Sequence, residues 1–589
     1  MTTIDRRTFL SGLAGSFAAT QAVSAAQQNL IPSTVPPETC WLDVAAPFVS
    51  VDPAQKFNTE ILLTATCFPG AEGFRETRYA TEYQILLFDH SGKEIHLDNS
   101  GRLEIPAMRP TLLDMRQMSG RDSFFGGARI RVAPSPGQVP RAGDLFSAGF
   151  VRWDLPGNFD NVHAHPAAPQ QAIGRFNYSM PFPALSEYHV AFSIFNPGDE
   201  ESEGLLRVVD RLGRTAAQRR YQLRPHQTML FSMAGLKQFE TPSEAFAVAA
   251  LDDPALKDGG AIVIRNETER VPFAYTFMKG RASGSFTVEH PLHFQADAPI
   301  KPARSTPFAA KGAFPAQAFV YTPMLFKGVR IGDLQLESRL YLHSSRWAEE
   351  ALWMMPFVTT GEGTIAWVSN RDDKFAERVA PAAVTDQGVV RLSEFQSCMI
   401  DARTLPLPDG YSGGFGAACI PKTSHSLNKI ELRAVNWERV AMTHFRPGGA
   451  VAKSYRQVDQ RGSLASDYIV SGAHVIGGPS ARKRDCLLAV MNIEFEEDHT
   501  GTPLLQVFGP RGLAGERKLS DFPPLACRHL LLSELFPDLQ SDPAHPFTLR
   551  MQVANALMIV SALHIDYERR DIALEHGSDR HSTFQDFKC

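Results

Sequence analysis

Histidines in this chain gather at a few places where a metal ion or a proton-transfer site would need them. His163-Ala164-His165 is one such place, Glu289-His290-Pro291-Leu292-His293 a second, and Glu575-His576 with His581 a third. Residues two apart on a strand face the same way, so His163 and His165 have the spacing to grip one ion, and neutral imidazole is the commonest ligand of zinc or copper. On that reading His163, His165, Glu289, His290, His293, Glu575, His576 and His581 are the candidate ligands and Zn or Cu the cofactor. A glutamate beside a histidine falls on the opposite face of a regular strand. Where a fourth cluster is expected stands Tyr455-Arg456-Gln457. Duplication of a capping strand, whose polar residues bond an adjoining loop, therefore accounts for the pattern with fewer assumptions than a metal in every unit.

Other chemistry is weaker. His444 and His564 sit among small or apolar neighbours, at matching places in two strands, and read as satisfied imidazoles. The acidic runs Asp199-Glu200-Glu201-Ser202-Glu203 and Glu494 with Glu496-Glu497-Asp498 lack the spacing of a calcium loop and read as solvated hairpin tips. Gly361-Glu362-Gly363-Thr364 imitates a dinucleotide loop but precedes a strand, which leaves no helix N-terminus to meet phosphate. The sequence contains no H-E-x-x-H or phosphate-loop pattern. Aromatics are mostly Phe, 39 against six Trp, which favours filled interiors over a sugar-stacking groove.

The elements that must carry these residues are short strands. Ile61 to Cys67, Tyr83 to Phe88, Val190 to Phe195 and Leu205 to Val209 alternate with turns, and Asp89-His90-Ser91-Gly92-Lys93 repeats as Asp210-Arg211-Leu212-Gly213-Arg214. A second signature, an apolar strand running into an oxygen side chain that caps a helical turn, recurs at Asp114, Ser232, Ser393 and Ser533. The first and third copies lie 279 residues apart and the second and fourth 301, which divides the chain into two halves of two units each. The expected fold is all-β: four tandem β-sandwiches in two duplicated pairs, each with its own interior. In pattern the unit resembles immunoglobulin-like sandwiches. The units are placed at 40–166, 180–295, 308–460 and 465–589.

Ahead of them, Asp5-Arg6-Arg7-Thr8-Phe9-Leu10 and the Ala- and Gly-rich run after it resemble the twin-arginine export signal, with a cleavage site near Ser24-Ala25-Ala26. That resemblance implies a leader over 1–26 with Arg6 and Arg7 as its recognition residues, the twin-arginine export machinery as a partner, and a periplasmic or secreted bacterial protein. Net charge is −5, so nothing draws the chain to nucleic acid or anionic lipid, and no later apolar run is long enough for a membrane span. Seven cysteines leave one over if Cys40 pairs with Cys67, Cys398 with Cys419 and Cys486 with Cys527; folding in a reducing cytoplasm before export leaves them as thiols instead. The functional expectation is a soluble, non-catalytic binding or scaffolding protein of the bacterial envelope, with an envelope protein or polysaccharide as partner. The alternatives are a periplasmic metal-binding protein or metal-dependent enzyme using the unit-end histidines, and a carbohydrate-active or carbohydrate-binding protein.

Overall fold

A computed structural model describes most of the chain between residues 42 and 579. Outside it lie 1–41, 580–589 and internal stretches, the longer being 65–80, 134–145, 153–159, 167–175, 296–303, 306–314, 368–389 and 449–456. The expected leader with Arg6 and Arg7, and Cys40, Cys67, His290, His581 and Cys589, fall outside the described residues. For His163, His165, His293, His444, Glu575 and His576 the backbone alone is described.

The protein is all-β, and its hairpins form for a local reason. Asp89 Oδ1 accepts hydrogen bonds from the backbone N–H of Ser91 (2.9 Å) and Lys93 (3.1 Å), and Asp210 Oδ1 from those of Leu212 and Arg214 (both 2.9 Å). Gly92 and Gly213 follow at φ 90° and 79°, a conformation that favours glycine. The same two residue types thus close the same turn in both places.

Four groups of strands share one order. The first places Glu94–Ile95, Thr81–Asp89, Phe124–Ala133, Leu42–Asp52 and His165–Pro166 side by side, and Thr111–Asp114, Phe57–Leu63, Phe146–Arg152 and Asp160–His163 in a second row. The second repeats this with Thr215–Leu223, Ser202–Asp210, Gly260–Asn266, Phe176–Phe182 and Leu292–Gln295, then Thr228–Ser232, Tyr188–Phe195, Phe273–Gly280 and Phe286–Glu289. In the third the rows are Ile365–Trp367, Leu352–Thr359, Tyr411–Ile420, Ala318–Ile331 and Pro447–Gly448, and Ser397–Asp401, Leu334–His343, Leu427–Ala434 and Arg439–Phe445. The fourth has Gly512–Lys518, Leu504–Gly509, Phe547–Ala554, Leu464–Ala473 and Ser578–Asp579, and Cys527–Leu531, Arg484–Asn492, Met558–Asp566 and Asp571–His576. All pairings are antiparallel, and each pair of rows forms a sandwich. In the first and third groups the rows join into one ten-stranded sheet, because Leu42–Asp52 meets Phe57–Leu63 at Val51 opposite Asn58, and Ala318–Ile331 meets Leu334–His343 at Ile331 opposite Leu334.

The capped turn after the first strand of the second row corrects one expectation. Asp114 accepts from Arg116 N and Gln117 N, and Ser232 Oγ from Ala234 N. In the third group the cap is Asp401, which accepts from Arg403 N at 3.0 Å; Ser393 instead lies in the turn before Ser397–Asp401. In the fourth the strand ends at Leu531, and Ser533 falls inside the turn.

The interiors are not separate. One cluster combines Phe48, Ile61, Tyr83 and Ile130 of the first sandwich with Ala191, Leu230, Tyr275 and Phe277 of the second, and another combines Leu325, Leu340 and Phe415 of the third with Leu487, Leu563 and Leu574 of the fourth. The Phe48 and Phe277 rings stand 4.6 Å apart across the first of these joints. Glycine permits the close approach: a Cβ on Gly127 would lie 2.4 Å from the Phe195 ring, and one on Gly414 2.9 Å from Met491 Sδ. Each joint buries an apolar face that a lone sandwich would expose to water.

Candidate functional site

Two further joints, second sandwich to third and fourth to first, close the four into a ring. Registers align them. Ser50 N donates to Thr59 Oγ1 and Phe326 N to Ser338 Oγ, both at 2.9 Å, so Thr59 and Ser338 hold one position and, five residues on, Thr64 and His343 hold another. Thr64 Oγ1 lies 3.3 Å from Ser471 Oγ and 3.2 Å from Thr548 Oγ1 of the fourth sandwich. His343, fully buried, has Nε2 2.5 Å from Ser179 Oγ of the second sandwich and Nδ1 2.7 Å from Ser397 Oγ. Beside these, Met108 and Phe395 both adopt left-handed backbone, at φ 59° and 56°, and each packs on the neighbouring half: Met108 on Ile469 and Phe508, Phe395 on Val209, Ala261 and Val263.

Charge runs in opposite senses at the two joints. Arg339 reaches Glu187 at 3.3 Å and stands 3.7 Å from Asp401. The position matching Arg339 is Glu60, which sits opposite Asp114 and near Arg484. Burial, and then the Asp114 carboxylate, push the Glu60 carboxyl up to about 7, while Arg484 draws it back. Burial holds His343 down at about 3.

A second, half-buried imidazole serves the joint between the third and fourth sandwiches. His529 Nε2 donates to the Pro323 carbonyl oxygen at 2.6 Å, so its Nδ1 accepts from the Ser412 hydroxyl. Ser412 stands opposite Phe326, as Phe125 stands opposite Ser50 in the first sandwich. A hydroxyl–imidazole pair is the start of a nucleophilic site, yet here the third member is a neutral carbonyl and the pair ties two sandwiches together.

The predicted ligands are placed as follows. His163 ends a strand of one row and His165 begins a strand of the other, where it pairs with Ala45, so the two do not share a strand and the shared-face argument for them fails. Glu289 and His293 are divided in the same way, and His576 ends its row just before Ser578–Asp579 joins the other. Glu289 is 5% exposed, opposite Thr276. His444 does not match His564: it lies on the outer strand opposite Lys429, whereas His564 lies on an inner strand opposite Cys486. Among the described residues, no group of three or more His, Cys, Asp or Glu is assembled to hold a metal. Cys398, Cys419, Cys486 and Cys527 are buried free thiols, so two of the three suggested disulfides are not formed. Burial pushes the Cys398 thiol up to about 12, which leaves it unreactive.

The acidic loops share a position. Asn196 Oδ1 accepts from Gly198 N and Asn492 Oδ1 from Glu494 N, both at 3.0 Å, and each Asn Nδ2 donates to backbone carbonyls that pin the loop. Asp199 contacts Arg129 at 3.1 Å and His226 at 3.2 Å, which places it at the joint of the first two sandwiches. Sequence reasoning missed Thr64, His343, Ser412 and His529. The local signals were a polar residue inside an apolar strand, as in Leu340-Tyr341-Leu342-His343, and at Ser412 the stretch Gly410-Tyr411-Ser412-Gly413-Gly414, which fits G-x-S-x-G but lies at the start of a strand rather than before a helix.

No family model matches the chain, and no curated protein matches it. Among solved structures, a cryo-EM reconstruction of the native conformation of E. coli alpha-2-macroglobulin is 9% identical, with a TM-score of 0.10. That comparison covers 90% of this chain and 30% of the other, so the chain spans less than a third of that protein. A likeness this slight carries no argument.

Among the described residues no helix is long and apolar enough to cross a membrane.

Proposed function

We propose that the chain is an exported scaffold or binding protein of the bacterial envelope, built by duplication of a two-sandwich half and closed into a ring. One observation carries this reading: His343 and His529, two imidazoles hydrogen-bonded to serine hydroxyls, act as ties between sandwiches. Matching strand order in all four groups supports duplication of an immunoglobulin-like unit, and Arg6-Arg7 with its apolar run supports export as a folded protein to the periplasm or beyond. On this reading the partner is an envelope protein, with a polysaccharide as the second option.

Photo-crosslinking in living cells tests it, with the probe at the exposed Trp353 or Leu513. A discrete adduct with an envelope protein is expected from the wild-type leader, and its loss when Arg6→Lys and Arg7→Lys are combined. An adduct unaffected by that double change contradicts export by this route. Turnover of a small-molecule substrate by the purified protein contradicts the non-catalytic role, and saturable binding on a glycan array favours the polysaccharide.

A further inference from the structure

The two joints that close the ring are built alike, so shape alone would let a half pair with a second copy of itself. At one, Phe395 of the third sandwich packs on Val209 of the second; at the other, Met108 of the first packs on Phe508 of the fourth. Val209 and Phe508 are each the last residue but one of matching strands, Ser202–Asp210 and Leu504–Gly509. A duplicated half keeps a surface that fits its own copy, and two chains could then join first half to first half and second to second.

Charge separates the two outcomes. The half made of the first and second sandwiches carries a carboxylate at both of its ends: Glu187, just before Tyr188–Phe195, at one, and Glu60 with Asp114 opposite it at the other. The half made of the third and fourth carries a guanidinium at both: Arg339, 3.3 Å from Glu187, and Arg484, which begins the matching strand Arg484–Asn492 and lies near Glu60. An aspartate of its own sandwich orients each arginine, Asp401 at 3.7 Å from Arg339 and Asp566 at 2.8 Å from Arg484. The excess stays positive at both ends, because Arg403 also binds Asp401 and Arg484 closes the run Arg482-Lys483-Arg484. Pairing like halves would set Glu187 against Glu60 and Asp114 in one ring, and Arg339 against Arg484 in the other. Like charges placed face to face suppress a pairing that shape permits.

We infer that these charges choose the partner of each half: each accepts an unlike half and rejects a second copy of itself, so the ring closes within one chain and not between two. Glu60, Glu187, Arg339 and Arg484 are the specificity residues of that interface.

Exchanging the charges at one joint tests this in the full chain. Glu60→Arg with Arg484→Glu keeps opposite charges across its own joint but gives each half one end of either sign, so like halves attract as well. A glutamate then stands opposite Asp566, an arrangement the wild type already accepts at Glu60 and Asp114. Refolding from urea is done at pH 8, above the Glu60 value of about 7, and followed by size-exclusion chromatography. Wild type should elute as monomer, and the exchanged chain should show a dimer-to-monomer ratio at least about tenfold higher. Glu187→Arg with Arg339→Glu makes the same exchange at the other joint and should act alike, so one folded variant suffices. If neither folds, wild type refolded in 1 M salt decides: screening within roughly 3 Å weakens the repulsion as halves meet, and dimer should rise. Wild type that refolds mainly to dimer, a folded exchanged chain as monomeric as wild type, or no rise of dimer in high salt when neither variant folds overturns the inference.

Discussion

Lowering the pH from 7 to 4 should destabilise this protein steeply, with the loss beginning as pH falls below 6.5. His343 is fully buried between Ser179 and Ser397, and burial holds its imidazole at about 3; burial likewise holds His564 at about 4. Both values lie below the ordinary 6.5, so the native state binds fewer protons than the unfolded chain. Stability from these groups is present above pH 6.5 and is lost as pH falls toward the native values. Between pH 6.5 and pH 4, keeping His343 and His564 neutral is worth about 3 kcal/mol each, against a typical domain stability of about 5–15 kcal/mol. Circular dichroism during urea unfolding at a series of pH values checks this. His343→Gln, which keeps hydrogen-bonding capacity without titrating near neutrality, should flatten part of the slope. A stability profile level from pH 7 to pH 4 would show that His343 is not buried between the halves.

Phe48→Ala should cost about 3–5 kcal/mol, the range for deleting a buried phenylalanine side chain. The ring has no exposed surface and packs on Phe125 of its own sandwich and Phe277 of the next, at 6.2 and 4.6 Å. Its loss opens a hole in an interior that both sandwiches share, so neither can close it alone. Thermal unfolding should therefore show the first two sandwiches melting together and earlier than in wild type. A cost below about 1 kcal/mol, as for a surface change, would mean that the joint is not packed this way.

What was legible in the sequence was whatever rests on neighbours in the chain. Asp89 and Asp210 announced their hairpins because the hydrogen bonds involved span only two to four residues. The capped turn was found at Asp114 and Ser232 but misplaced at Ser393, since Arg391-Leu392-Ser393 carries the same local signal as Met399-Ile400-Asp401; only pairing with Leu334–His343 distinguishes them. The histidine clusters were located at the ends of sandwiches, yet the grouping of His163 with His165 assumed one strand where two strands in different rows stand. Ring closure was invisible, because Thr64 and Ser471 are separated by 407 residues and neither looks unusual locally. The thiols at Cys398 and Cys419 show the same limit: spacing allowed a bridge that the fold does not make.

The fourth sandwich docks on the first and closes the ring. Introducing Thr64→Cys together with Ser471→Cys tests it directly, because the native oxygens stand 3.3 Å apart. Mild oxidation of the folded double variant should join the two positions, seen as a linked peptide pair by mass spectrometry and absent from either single variant. Full retention of both new thiols in a chain that circular dichroism shows to be folded would contradict the closed ring.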